Sequence, residues 1–218
     1  MRVEGWQTVA HGLKGIYYYR WDPLVSGAEP WGHHMRTFEG QATERIDEAG
    51  RLARELSHMS DLIADSDPVQ APIALFYSRP SKITAQADDL YDPQYRQATL
   101  GTYRLFTDNH YPVDCIDSDD LLAGKLSGYW VLLLPFIYCL NREIAEIIKA
   151  FVRGGGIVFA EPFCATRDEQ GVAYAEAPGA GLAELFGCRA VESVNYRYWL
   201  VSHAVEMGAE GAALTAVK

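Results

Sequence analysis

The chain has 218 residues, 49% hydrophobic and 12% aromatic, with a formal net charge of −10 and 4 cysteines. That length allows one good core, or one domain with an appendage, and falls short of a complete eight-fold barrel of about 250 residues plus a second domain. The acidic balance argues against nucleic acid or an anionic membrane as a partner, and no stretch reaches the roughly 18 apolar residues of a membrane span.

Residues 8–35 read TVAHGLKGIYYYRWDPLVSGAEPWGHHM. Within them, 16–21 is a continuous apolar and aromatic run behind a glycine, the pattern of a strand buried on both faces of a parallel sheet. Of Tyr17, Tyr18 and Tyr19, two are expected to pack on alternate sides of that strand. The loop that follows carries Asp22, Glu29, His33 and His34, and barrels of alternating strands and helices hold ligands on such loops. No earlier run supplies a strand to pair with 16–21. An apolar edge of that kind is expected to fold back, to pair between copies, or to be disordered. His33 and His34 have no further ligands beside them, so no metal is expected.

Residues 42–63 show helical periodicity, with Ile46, Ala49, Leu52, Ala53, Leu56, Met59 and Ile63 at three- and four-residue steps. The segment DSDPVQAP at 65–72 is a linker and the best boundary in the chain. It divides the sequence into 1–64 and 65–218.

Beyond the linker the pattern alternates. Strands are predicted at 73–77, 113–116, 129–134 and 157–160, with a weaker one at 190–194. A polar loop containing Pro80 follows the first, and a helix spans 93–109. Asn141 is a plausible N-cap for a helix with Ile144, Ile147, Ile148, Phe151 and Val152 on its inner face. Gly154, Gly155 and Gly156 end that helix, and a further helix is predicted at 181–186. Such alternation implies an α/β fold with a parallel sheet covered on both faces. The last residues, EGAALTAVK, lack a clear structural ending, so truncation at the C-terminus is expected.

The residues alone offer two chemistries. Retaining glycoside hydrolysis needs two carboxylates about 5 Å apart, and Asp22 and Glu29 are the only acids on the candidate loop. A thiol nucleophile would be Cys164 in AEPFCATRDE, with His203 and Glu206 downstream. That turn lacks the flanking glycines of a strained nucleophile elbow, so an inert thiol is expected. The other cysteines, Cys115, Cys139 and Cys188, form no CxxC pair, and reduced thiols in a cytoplasmic protein are expected. The glycine triplet precedes a strand, whereas phosphate-binding loops follow one.

An ordered series of segments resembles the family-42 glycoside hydrolases, bacterial beta-galactosidases. The series runs WQTVAHGLKGIYYYRW, SGAE at 26–29, ERIDEAGRLARELSHM, APIALFYS, HYPVDCID, LSGYWVLLLPFIYCL, IIKAFVRGGGIVFAEPF with TRDE, and GLAELFGCRAVESV. The resemblance implies a flavodoxin-like, class I glutamine-amidotransferase-like α/β sheet in 65–218, the family's middle trimerisation domain. It implies that 1–64 is the last strand, sugar-site loop and helix of a (β/α)8 barrel. Glu29 then matches an acid that contacts galactose hydroxyls without transferring a proton, and Trp21 a tryptophan near the sugar. His33 stands one place beyond the family's histidine position, which is Gly32 here, and Asp22 replaces the family's usual arginine.

The resemblance therefore implies a vestigial galactose subsite of Glu29, Trp21 and His33, with no catalytic residue, metal or cofactor. Both catalytic glutamates of the family lie on barrel strands earlier than any counterpart of Met1. The expected function is structural, with self-association as a homotrimer and at most weak galactoside binding. Two alternatives are an active beta-galactosidase completed by a separately encoded barrel, and a free-standing amidotransferase-like or sugar-binding module.

Overall fold

The computed structural model describes residues 1–30, 34–87, 92–196 and 199–207, and the side chains of 1–30, 34–87 and 94–191. The chain divides into two compact units, Met1–Val69 and Gln70–Lys218.

The first unit is built on helices. An unforeseen helix α1, Arg2–Ala10, packs on α2, Glu44–His58, which continues after Met59 into α3, Ser60–Asp65. The contact between α1 and α2 turns on Gly5, which is buried, and Leu52, which is 1% exposed. Trp6 Nε1 donates to Glu55 Oε2 at 3.1 Å, and Arg2 Nη2 reaches Glu55 Oε1 at 2.5 Å, so one α2 carboxylate holds the outer face of α1.

The strand expected at 16–21 is not formed. These residues lie in neither helix nor strand, and Tyr17, Tyr19 and Trp21 are 97%, 64% and 57% exposed. Tyr18 is also exposed, so the expected burial of two tyrosines fails as well. A strand is completed by a ladder partner, and intrinsic preference for extended backbone does not supply one. Among the described residues, main-chain bonding to this segment is confined to its end, where the Arg20 and Trp21 carbonyls accept from Met35 and Arg36.

The second unit holds a four-stranded parallel sheet in the order β2-β1-β3-β4, the order of flavodoxin-like doubly wound sheets. Its strands are β1, Ile73–Phe76; β2, Val113–Ile116; β3, Val131–Leu134; and β4, Ile157–Ala160. Alternation along each strand sorts side chains to two faces. Ala74, Phe76, Leu132 and Leu134 pack with Ile144, Ala145 and Ile148 of α7, Arg142–Arg153. Ile73, Leu75, Val113 and Leu133 turn the other way, toward Tyr103 and Phe106 of α5, Asp92–Thr107. The expected α/β class, with helices on both faces of a parallel sheet, is therefore the observed one. Asn141 caps α7 as read from the sequence, its side-chain oxygen accepting from Ile144 N–H at 2.8 Å.

Several elements of the second unit escaped the sequence pattern. The predicted loop at Pro80 is helix α4, Arg79–Ala87. Proline fits a first turn because those N–H groups have no intrahelical acceptor, and Ser78 Oγ accepts from Ser81 N–H at 3.1 Å to start the helix. Helix α6, Ser118–Leu122, is only 5 residues long, and reciprocal bonds between Asp117 and Asp120 cap it. After α8, Leu182–Phe186, come β5, Cys188–Tyr196, and β6, Trp199–Met207, paired as an antiparallel hairpin. The expected strand at 190–194 lies inside β5, whereas β6 was not foreseen. Among the described residues no helix is long and apolar enough to cross a membrane.

Candidate functional site

The loop behind residue 21 is organised by Arg36, a residue that the sequence reading passed over. Its Nη1 reaches Asp22 Oδ1 at 3.2 Å, while Nε and Nη2 both donate to the Gly40 carbonyl, at 2.9 and 2.6 Å. One guanidinium thus ties the start of the loop to the turn before α2. The next contacts extend the clamp. The Met35 carbonyl accepts from Thr43 Oγ1 at 2.7 Å, and Thr43 is the residue at which α2 begins. His34 Nδ1 donates to the Arg36 carbonyl at 2.6 Å, and Arg45 Nη1 donates to the His34 carbonyl at 2.5 Å.

The sequence-predicted residues fare unequally in this frame. Trp21 is exposed, and its carbonyl accepts N–H bonds from Met35 and Arg36 at 3.2 and 3.1 Å. Glu29 is exposed and has no partner among the described residues. His33 lies outside the described residues. Asp22 occupies the place where the resemblance leads one to expect an arginine, and a cation returns beside it from position 36. The signal was present in the sequence as an unbalanced acid, but pairing across 14 positions is a tertiary fact.

Beside the loop, α1 and α2 leave a groove of about 300 Å³ lined by apolar side chains such as Val9, Leu13, Ile16, Leu52, Leu56 and Ile63. Hexose recognition needs converging hydrogen-bond groups, and this lining supplies hydrocarbon instead.

In the second unit the place to inspect is the C-terminal edge of the sheet between β1 and β3, where doubly wound sheets bind their ligands. Here that crevice is filled. Ser78 and Ser81 are buried, and both hydroxyls donate to the Cys139 carbonyl, at 3.2 and 3.1 Å. Cys139 N–H donates back to Ser81 Oγ at 2.9 Å. Tyr95 donates to the Ser78 carbonyl at 3.0 Å and packs with Phe136, Tyr138 and Cys139. The arrangement is a satisfied polar knot roofed by aromatics, a packing device at a position suited to chemistry.

Cys164 lies beyond β4 and is buried. Burial pushes its thiol up to about 12, with the nearby Cys188 adding to the rise. The nucleophile is the thiolate, so such a group is inert near neutrality. His203 and Glu206 sit on β6 opposite Ser193 and Arg189, and their side chains lie outside the described ones. The glycine triplet ends α7 as expected: Gly154 N–H bonds the Ala150 carbonyl, and Gly155 has φ +96°. A group of three or more metal-binding side chains is absent among the described residues.

Residues 71–217 match the family model described as the beta-galactosidase trimerisation domain. Beta-galactosidase GalA of Bacillus licheniformis is 24% identical over 194 residues, covering 86% of this chain and 28% of its own length. Beta-galactosidase GanA of Bacillus subtilis is 21% identical, covering 88% of this chain and 28% of its own. Among solved structures, a catalytic mutant of Gan42B, a GH42 beta-galactosidase from G. stearothermophilus, superposes with a TM-score of 0.76 at 22% identity. That match covers 95% of this chain and 32% of the other. A beta-galactosidase from Rahnella sp. superposes with a TM-score of 0.72 at 25% identity, covering 88% of this chain and 28% of the other. The chain thus spans about a third or less of the length of these relatives.

Proposed function

The chain belongs to the beta-galactosidase trimerisation domain family, and on that premise we propose that it is an assembly module, joining copies of a polypeptide into a trimer without itself cleaving sugar. The family match over 71–217 is the observation that carries this reading. The filled crevice at the sheet's C-terminal edge supports it, because Ser78, Ser81 and Tyr95 spend their hydrogen bonds on Cys139 and on each other. On the same reading, residues 1–64 are the last part of a glycosidase barrel. Trp21, Glu29 and His33 then form a remnant of a galactose subsite with at most weak affinity, and the protein works in the cytoplasm.

The absence of turnover is proposed on the chemistry of the loop. Retaining hydrolysis needs one carboxyl kept protonated and a second ionised about 5 Å away. Asp22 is engaged by Arg36, and Glu29 stands in solvent with nothing described to hold it in place. A second reading draws on the relatives, which are beta-galactosidases more than three times as long as the matched segment. On that reading the catalytic glutamates come from a barrel that joins this unit.

Purified chain is assayed with a chromogenic beta-galactoside while its mass is measured by sedimentation equilibrium. The proposal expects a trimer without turnover. Turnover that disappears in Glu29→Gln, or a monomer at tens of micromolar, would overturn it.

A further inference from the structure

We draw no further inference here: the strongest candidate, the groove in the second unit where Tyr129, Trp130 and Phe151 meet the C-terminal end of α7 and the glycines at 154–156, is lined mainly by apolar side chains, and nothing in the structure shows what covers it.

Discussion

Gly5 of α1 lies so close to Leu52 of α2 that a methyl group added at Gly5 would stand 2.2 Å from Leu52 Cδ2. Leu52 is 1% exposed, and the added methyl would have to displace its Cδ2 from the packing between the two helices. In an exposed helix, replacing glycine by alanine stabilises by about 1 kcal/mol. Here the overlap should reverse the sign, and Gly5→Ala should destabilise the first unit by about 1–3 kcal/mol. Hydrogen exchange across α1 and α2 measures this directly, and increased protection in the variant would refute the packing.

Glu161 provides a test in pH. Burial raises its carboxyl above the ordinary value, and the Thr102 hydroxyl offsets part of the rise. A carboxyl with a raised folded-state value binds its proton more tightly in the folded chain. Its contribution to stability is therefore complete below the unfolded value and is lost as pH climbs through the folded one. Glu161→Gln has no proton to lose, so the stability difference between variant and wild type should move in the variant's favour from pH 4 to pH 7. Urea midpoints across that range check it, and a constant difference would contradict the burial.

The serine knot makes a sharper demand. Ser81 Oγ accepts from Cys139 N–H and bonds Ser78 Oγ at 2.7 Å, all in the interior. Ser81→Ala strands a buried N–H donor and should cost about 1–3 kcal/mol, well above a surface serine substitution. The urea midpoint of the second unit is the readout, and a cost near zero would mean that water reaches the knot.

Thiol reactivity separates the cysteines. Cys115 is exposed, while Cys139 and Cys164 are buried; desolvation raises all three thiols, so access is what separates them. In native buffer a disulfide reagent should modify Cys115 first and leave Cys139 and Cys164 until denaturant is added. Cys115→Ser should remove the fastest phase and leave the slower reaction of the partly exposed Cys188. Rapid labelling of Cys164 in the native chain would reopen the nucleophile reading.

Much of the second unit was legible because its signals are local. Four-residue apolar runs mark β1 and β3, and Asn141 followed by isoleucines at helical spacing marks α7. A cap and a periodic stripe act within a turn or two of the residues that carry them. Helix α4 was hidden because Pro80 reads as a breaker until Ser78 is seen to cap the turn around it. Arg36 was missed for a different reason, since nothing near position 36 in the chain announces a partner at 22.

The amino-acid order alone determined the α/β class, the positions of the four parallel strands and the end of α7 at its glycines. Each depends on preferences expressed over a few neighbouring residues. Tertiary structure decided that residues 16–21 stay outside any sheet among the described residues, and that the sheet-edge crevice is closed by Ser78 and Ser81. These outcomes depend on which distant segment arrives to complete a ladder, fill a space or cover a face, and no local pattern encodes an arrival.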